Sequence, residues 1–326
     1  MITRELGRTG QQISALGLGC MSMASDYAYG PSDAAEAVAT LHRALELGVT
    51  FWDTADIYGF GSNEELLRPV LAANRSKVFL ATKFGFVPDG QGGSCVDVRP
   101  ERIAAACEAS LRRLGTDHID LYYAHRIDPA VPVEDMVGAM AALVQAGKVR
   151  FLGVSEASAA SLRRAAATHP IAALQSEYSM FTRDVEAEIL PACRELGVSL
   201  VPFSPLGRGL LTAVGPQLAE KDLRRSMPRF GEEVGDANAP LVVGLHQLAA
   251  EKSISTAQLA LAWLLAQDAH IIPIPGTKRR KYLEENTAAA DVELSAADQQ
   301  RLTELLAAHP VVGARYGEGA LKLVNR

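Results

Sequence analysis

The chain has 326 residues, of which 48% are hydrophobic and 21% are charged, as in ordinary globular proteins. Its net charge of -6 argues against a nucleic-acid-binding protein, which needs a basic face, and no apolar run approaches the roughly 20 residues of a membrane-spanning helix. The polar opening MITRELGRTGQQ lacks the apolar core of a signal peptide, and the four scattered cysteines indicate neither a disulfide framework nor a zinc site. We therefore expect a cytoplasmic protein that binds no nucleic acid, membrane or metal, either as a monomer or as a homo-oligomer.

The first predicted element is a β-hairpin in residues 4–14, which turns at Thr9–Gly10. After it, apolar runs of strand length alternate with segments of helical periodicity. The runs are near-continuously apolar, which is typical of strands buried on both faces. They occupy residues 13–19, 49–53, 77–83, 118–125, 149–156, 171–177, 198–205 and 270–276.

Several predicted helices end at a glycine just before a strand, as expected of left-handed caps at Gly48, Gly115, Gly147 and Gly197. Eight strand–helix units without an intervening linker predict an α/β fold, a single (β/α)8 TIM barrel domain spanning residues 1–326. A doubly wound open sheet is the alternative. In the barrel, the N-terminal hairpin would close the floor.

One stretch interrupts this alternation after the seventh strand. Residues 207–239 are too long for an ordinary loop between a strand and a helix. We expect a long loop there that acts as a lid over the barrel mouth.

Polar side chains follow the apolar runs at their carboxyl ends, which converge on one face of a barrel. Taken singly, each has an ordinary explanation: a lysine whose stem is buried, a satisfied core histidine or a helix cap. Their convergence favours an active site at that face. The residues are Asp53, Lys83, His125, Ser155, Glu156, Gln175 and Ser204.

Four residues in this set and the adjoining loop predict acid–base chemistry. Asp53 can pair with Lys83 across neighbouring strands, since a buried lysine needs such a partner. A nearby cation stabilises a phenolate, so Lys83 would tune Tyr58 as a proton donor. His125 can supply a hydrogen bond, and together the four residues make a proton donor suited to protonating a carbonyl oxygen.

These residues lie in motifs that resemble the aldo-keto reductase superfamily, and especially its bacterial and plant members with a GTKR…YLEEN signature. The motifs are DTADIYG, ATKFG, YYAHR, GVSE, LQSEYS, PFSPLGRG and IPGTKRRKYLEEN, from about Leu6 to about Leu306. The resemblance implies a barrel that reduces carbonyls with NADPH, in which Tyr58 is the general acid, Lys83 and Asp53 tune it, and His125 orients the carbonyl.

The segment GLGCMS at 17–22 lacks the third glycine of a Rossmann fingerprint. Its glycines would let the backbone approach a ligand. By the resemblance, Gly19, Cys20 and Met21 lie near the nicotinamide ribose.

The basic stretch at 276–286 follows the last predicted strand, where TIM barrels often bind phosphate. A solvated basic turn is the ordinary alternative. The resemblance places the adenosine 2′-phosphate of NADP(H) here. It assigns cofactor contacts to Gly276, Thr277, Lys278, Arg279, Glu285 and Asn286, whereas Tyr282 stands where many relatives have an arginine.

Further cofactor contacts are implied at three other strand ends. Ser155 and Gln175 would form hydrogen bonds with the nicotinamide carboxamide. At the next position many relatives have asparagine, whereas this chain has Glu156. Phe203 would pack on the nicotinamide ring or belong to the core. The loop residues Ser204, Leu206 and Arg208 would lie along the pyrophosphate.

These observations predict an NADPH-dependent reductase of aldehydes and ketones. The alternatives are a non-catalytic NADP(H)-binding, redox-sensing subunit and a Schiff-base aldolase with Lys83 as nucleophile. We expect pocket walls from 21–33, 84–94 and the C-terminal tail. An apolar or aromatic pocket is indicated by Tyr27, Tyr29, Phe84, Phe86 and Met180.

Overall fold

The computed structural model describes residues 1–24, 29–90, 93–213, 215–216, 218–220 and 222–324. In these residues the strands are β1 (Thr3–Glu5), β2 (Gln12–Ser14), β3 (Leu18–Gly19), β4 (Phe51–Asp53), β5 (Phe79–Phe84), β6 (Phe86–Pro88), β7 (Ser94–Val96), β8 (Ile119–Ala124), β9 (Val149–Ser155), β10 (Ile171–Glu177) and β11 (Ser199–Phe203). The helices are α1 (Ala34–Glu46), α2 (Ser62–Asn74), α3 (Pro100–Leu114), α4 (Val133–Gln145), α5 (Ala159–Thr168), α6 (Ile189–Leu196), α7 (Glu232–Glu251), α8 (Thr256–Gln267), α9 (Arg280–Ala288), α10 (Ala296–Ala308) and α11 (Glu318–Leu321).

The main sheet of the described chain contains seven parallel strands in the order β11-β10-β9-β8-β5-β4-β3. Sequential order with helical crossovers is the arrangement of a parallel barrel. Single bridges from Leu200 to Ile271 and from Gly19 to Gly276 join the segment 270–276 to both edges of this sheet. The sheet therefore closes on itself, which confirms the predicted (β/α)8 barrel.

The closing segment 270–276 was predicted as a regular strand, yet it is held by bridges and individual hydrogen bonds. Pro273 and Pro275 have no N–H to donate, which interrupts a regular ladder. Their carbonyls accept hydrogen bonds from the amides of Gly17 at 2.9 Å and Gly19 at 3.2 Å. Toward β3, the closing segment therefore accepts hydrogen bonds at both prolines but cannot donate from either of them.

The N-terminal hairpin of β1 and β2 closes the barrel floor, as predicted. Leu6 and Ile13 are buried in the apolar cluster that includes Phe51 and Phe79, the first residues of β4 and β5. The guanidinium of Arg4 adds hydrogen bonds of 2.6 Å to carbonyl oxygens around the end of α8. The opposite end of the barrel is left for the polar strand ends.

The predicted glycine caps are confirmed by their backbone angles. Gly48, Gly115, Gly147 and Gly197 have φ values of +74°, +66°, +70° and +65°. Glycine adopts this left-handed conformation without a Cβ penalty, so each helix can turn sharply into the next strand.

The predicted long loop follows β11, but it ends earlier than expected. Helix α7 begins at Glu232, so residues 232–239 are helical and the connection consists of 204–231. Gly235 and Pro240 obscured this helix in the sequence, because both residues disfavour a helix interior. Within the described part of the chain, no helix combines the length and apolar character that a membrane crossing requires.

Candidate active site

Four polar residues meet where β4, β5 and β8 open onto the barrel mouth. Asp53 is the last residue of β4, Lys83 lies near the end of β5, and His125 directly follows β8. Their relative exposures are 2%, 0% and 8%, whereas Tyr58, in the turn after β4, is half-buried. The structure thus brings the four predicted acid–base residues together.

The Lys83 ammonium is the centre of this cluster. Its Nζ donates to Asp53 Oδ1 at 2.5 Å, to the carbonyl of Thr54 at 2.8 Å and to the Tyr58 hydroxyl at 3.3 Å. Gln175 Nε2 donates to the other carboxylate oxygen of Asp53 at 2.8 Å. The predicted pairing of Asp53 with Lys83 is present, and it holds the positively charged ammonium beside the Tyr58 hydroxyl.

Burial disfavours the charged forms of both Asp53 and Lys83. It lowers the pKa of the Lys83 ammonium and raises the pKa of the Asp53 carboxyl, while their mutual attraction acts against both shifts. Each group therefore depends on the other to stay charged in a site that excludes water.

His125 is held in its neutral form. Burial, followed by the positive charges of Lys83 and Arg126, lowers its pKa well below the ordinary value. The imidazole lies edge-on to the Tyr58 ring with centroids 5.8 Å apart, and its Nδ1 has no hydrogen-bond partner among the described residues. A neutral imidazole keeps one N–H, so it can donate to an oxygen near the phenol.

The turn that carries Tyr58 has an unusual backbone. Gly59, Phe60 and Gly61 have φ values of +55°, +52° and +96°. A Cβ on Gly59 would lie 2.2 Å from Ser62 Oγ, so the turn requires glycine there. A left-handed conformation is costly for phenylalanine, and such local strain is typical of functional sites.

Asp56 is a half-buried acid at the mouth that was not predicted as a site residue. Burial, followed by the negative charge of Glu64, raises its pKa to about 7. Its Oδ1 is buried without a hydrogen-bond partner in the described residues. The signal was available, since DTADIYG places a second carboxylate three residues after Asp53.

Ser155 and Gln175 are register partners at the ends of β9 and β10. The Ser155 hydroxyl is buried and has no partner among the described residues, so it can bond a ligand. The side-chain nitrogen of Gln175 is already bonded to Asp53. Sequence reasoning placed both residues correctly at the mouth, but it did not anticipate this link between them and the acid–base cluster.

Glu156 points toward the C-terminal tail. It has a φ of +52°, and its two carboxylate oxygens accept hydrogen bonds from Arg315 at 3.0 and 2.6 Å. One of them also accepts the backbone N–H of Glu177 at 2.9 Å. Although burial opposes ionisation, Arg315 holds the pKa of Glu156 below its ordinary value.

Arg208 belongs to the same network of charges. Its Nη2 donates to Glu177 Oε2 at 2.7 Å, and its guanidinium stacks 4.7 Å from the centroid of the Tyr316 ring. The side chain is 7% exposed. The resemblance implied a pyrophosphate contact for Arg208, whereas the structure shows that its charge is already paired. Sequence reasoning missed the roles of Glu177 and Arg315, although an acid at the end of a buried strand implies a cationic partner.

The other predicted residues after β11 line the start of the long connection. Phe203 is half-buried and packs against the cluster inside the barrel. Ser204 has a φ of +49°, the same left-handed conformation that Glu156 adopts after β9. Leu206 packs against the outer hydrophobic clusters, so its side chain serves the fold.

A family model described as the aldo/keto reductase family matches residues 15–307. The chain belongs to the aldo/keto reductase family. The protein named aldo-keto reductase yakc [NADP(+)] from Schizosaccharomyces pombe is 43% identical over 327 residues, covering 98% of this chain and 95% of that protein. Probable aldo-keto reductase 1 from Glycine max is 41% identical, covering 97% of this chain and 92% of its own.

Solved structures show the same family architecture. The glycerol dehydrogenase AKR11B4 from Gluconobacter oxydans has a TM-score of 0.86 at 28% identity, covering 96% of this chain and 97% of that chain. The holo form of aldo-keto reductase AKR11C1 from Bacillus halodurans has a TM-score of 0.75 at 28% identity, covering 98% and 99%. These similarities confirm the predicted family and fold.

In this aldo/keto reductase, the first-strand glycines serve barrel closure. A Cβ on Gly19 would lie 2.9 Å from the carbonyl oxygen of Ile274, and one on Gly17 would lie 2.7 Å from the Phe51 ring. Cys20 is fully buried, and burial raises the pKa of its thiol. Met21 is half-buried at the start of a short 3-10 helix, so a ligand can reach it.

The basic stretch 276–286 divides into a loop, residues 276–279, and the first part of α9, residues 280–286. Thr277 Oγ1 accepts the amide of Arg279 at 3.2 Å, and Lys278 Nζ donates to the carbonyls of Gly30 at 2.9 Å and Pro31 at 2.7 Å. Lys278 thus ties the last loop to the first. Gly276, which is exposed, closes the barrel against Gly19.

Arg279 directly precedes α9 and is exposed, with no ion pair or side-chain hydrogen bond in the described residues. Its neighbour Arg280 pairs with Glu36 at 2.9 Å. Further along α9, Glu285 is half-buried and Asn286 is 4% exposed. Arg279 is therefore available to bind an anion at this helix start.

The predicted aromatic pocket is only partly correct. Phe84 is 1% exposed and stacks on Tyr122 at 4.9 Å on the outer side of the sheet, because alternate residues of a strand face opposite ways. Phe86 lies at the mouth, with its ring centroid 4.9 Å from that of His125. Tyr29 lies under the Arg224 guanidinium at 4.7 Å. Tyr27 is outside the described residues.

The remaining predicted wall residue, Met180, lies away from the acid–base cluster. It is 1% exposed and lines a cavity of about 460 Å³ between the loop after β10 and the C-terminal tail. This cavity is also lined by Arg229 and by Arg315 of the C-terminal tail, so it is not the substrate pocket for which the tail was predicted as a wall.

Proposed function

We propose that this protein is an NADP(H)-dependent oxidoreductase that reduces aldehydes and ketones to alcohols. The observation that carries the proposal is the position of Lys83 Nζ, which bonds both the Asp53 carboxylate and the Tyr58 hydroxyl. When NADPH is bound, it supplies the hydride, and the protein supplies orientation and a proton.

Tyr58 donates its phenolic proton to the carbonyl oxygen as negative charge develops there. The resulting phenolate is stabilised by the Lys83 ammonium, which lies 3.3 Å from the hydroxyl oxygen. Asp53 keeps that ammonium charged in spite of its burial. The cluster thus favours the charge distribution that is present after proton transfer.

His125 orients the carbonyl. Because its pKa lies well below the ordinary value, the imidazole is neutral near pH 7 and is not a competing acid. Its position edge-on to Tyr58 lets both side chains reach one carbonyl oxygen. Two donors to the same oxygen would hold the substrate carbon at a fixed place in the mouth.

The residues present fit a nicotinamide dinucleotide. The unpartnered Ser155 hydroxyl can bond a carboxamide at the mouth. Arg279 and the N-terminus of α9 can hold a phosphate, since helix N-termini attract anions. A relative that is 43% identical is named as an NADP(+) protein, which supports NADP(H) over NAD(H). The carboxamide contact predicted for the Glu156 position is not proposed, because Arg315 occupies that carboxylate.

We further propose that residues 1–326 form a single domain in the cytoplasm. The family match covers 15–307, and the N-terminal hairpin and C-terminal tail both pack onto the barrel. The Schiff-base aldolase loses support, because a nucleophilic lysine must be neutral and unpaired, whereas Lys83 is held against Asp53.

Oxidation of NADPH, followed by absorbance with para-nitrobenzaldehyde as substrate, tests the proposal. We expect turnover that prefers NADPH over NADH and falls by about 100- to 10,000-fold in Tyr58→Phe, with NADPH binding retained. Tyr178→Phe is the matched control, because that hydroxyl bonds Glu186 instead of the cluster.

Tight NADPH binding without turnover of any carbonyl would instead support the redox-sensing subunit. Failure to bind either nucleotide would overturn the cofactor assignment.

A further inference from the structure

Arg126 places a positive charge beside the proposed acid–base cluster, and no carboxylate in the described part of the chain pairs with it. It directly follows His125 and is half-exposed. Its Nη1 donates to the carbonyl oxygen of His125 at 2.6 Å, and its Nε is buried without a hydrogen-bond partner among the described residues. No described carboxylate forms an ion pair with it, in contrast to most arginines near the mouth.

The guanidinium lies on the substrate side of the mouth. It sits 5.5 Å from the centroid of the Phe86 ring, and Phe86 in turn lies edge-on to His125 at 4.9 Å. Its charge also contributes to the lowered pKa of His125, which indicates that it is electrostatically close to the reacting groups. A ligand that contacts His125 is therefore within reach of Arg126.

Neither the described part of the protein nor the proposed cofactor supplies an anionic partner for Arg126. Glu156 feels the charge of Arg126, but both of its oxygens are bonded to Arg315. The residues proposed to hold the dinucleotide lie on β9 and at the start of α9, whereas Arg126 follows β8. Arg126 therefore remains available to a ligand bound beside His125.

We propose that Arg126 binds a carboxylate carried by the carbonyl substrate. The preferred substrates are then aldehydes or ketones that carry an acidic group, such as semialdehydes and oxo acids. A planar guanidinium recognises a carboxylate well, since its donors match the two oxygens. This inference rests on the proposed reductase function and extends it to the substrate class.

A matched pair of aldehydes tests the proposal: 4-carboxybenzaldehyde and its neutral methyl ester, with NADPH as reductant. The readout is the ratio of kcat/KM for the acid to kcat/KM for the ester. We expect Arg126→Gln to lower this ratio by about 10- to 100-fold, because a hydrogen-bonded charge is lost. Arg112→Gln removes an exposed arginine on α3 and should change the ratio by less than about twofold.

An unchanged ratio in Arg126→Gln, with both aldehydes still reduced, would overturn the carboxylate site and leave the reductase function intact. If the wild-type protein reduces neither aldehyde, the proposed function fails. Calorimetric binding of 4-carboxybenzyl alcohol in the presence of NADP⁺ then decides the site separately. Binding that weakens in Arg126→Gln but not in Arg112→Gln supports it, and equal binding in both variants refutes it.

Discussion

Glu156 and Arg315 form a buried ion pair that joins the end of β9 to the C-terminal tail across 159 positions of sequence. The two side chains are 1% and 8% exposed, and the closest contact is 2.6 Å. Arg315 also lies 3.6 Å from Glu177 and stacks on Tyr316. The pair therefore fixes the tail beside the barrel mouth.

Replacing Arg315 with methionine should destabilise the protein by about 3–5 kcal/mol, because Glu156 is left buried and unpaired. The double variant with Glu156→Gln should recover part of this loss, since it removes the uncompensated charge. Urea denaturation of the wild type, both single variants and the double variant measures the coupling.

Arg301→Met provides a control for this cycle. Arg301 pairs with Glu251, but both side chains are about half exposed, so its removal should alter stability little. A loss in Arg315→Met no larger than that in Arg301→Met would contradict the structural importance assigned to the buried pair.

The fold was predictable because its signals are local and repeated. The apolar run 171–177 coincides with β10, and four helices end at the expected glycines. The errors arose where local chemistry and tertiary context disagree. Pro273 and Pro275 make the closing strand irregular, and tertiary packing extends α7 through Gly235 despite its poor helix propensity.

The acid–base cluster was predictable because the ends of adjacent parallel strands must be neighbours. Strand order alone brings the end of β4, with Asp53, next to β5, which carries Lys83. Contacts between distant loops carry no such signal. The bonds that Lys278 makes to Gly30 and Pro31 depend on the paths of two loops, which no local pattern in the sequence specifies. The domain extent and the individual site roles stay predictions.

Asp53→Asn should move the alkaline limb of the pH profile of kcat to lower pH. Asp53 raises the pKa of the Lys83 ammonium against the effect of burial, so without it the lysine loses its proton at a lower pH. We also expect kcat at neutral pH to fall by at least about tenfold. Steady-state kinetics across a pH series measure both effects.

Lys83→Met is the companion variant for this experiment. It removes the titrating group, so activity should be low throughout without a displaced limb. An alkaline limb at the same pH in Asp53→Asn and wild type would show that Lys83 does not control it.

Asp56→Asn should stabilise the protein at pH 8 by a few kcal/mol and have a smaller effect near pH 4. The folded-state pKa of about 7 lies above the ordinary value of 3.8, so the contribution of Asp56 to stability is full below pH 3.8. It falls as the pH rises toward 7, because only the unfolded chain releases the proton in that range. Urea denaturation at several pH values measures the difference, with the exposed Asp236→Asn as control. A stability gain that does not depend on pH would contradict the raised pKa.

Gly153→Ala should destabilise the barrel by about 1–3 kcal/mol, because overpacking forces buried groups apart. A Cβ on Gly153 would lie 2.4 Å from two ring atoms of the fully buried Tyr123 and 3.1 Å from the carbonyl oxygen of Ala173. Gly138→Ala is the opposite case, since Gly138 is exposed within α4 and, apart from the backbone of its own helix and its chain neighbours, no described atom lies within 4 Å of its Cβ position. That variant should gain about 0.5–1 kcal/mol from helix propensity. Thermal and urea unfolding of the two variants should therefore shift in opposite directions, and a Gly153→Ala protein as stable as wild type would show that Tyr123 can move within the barrel.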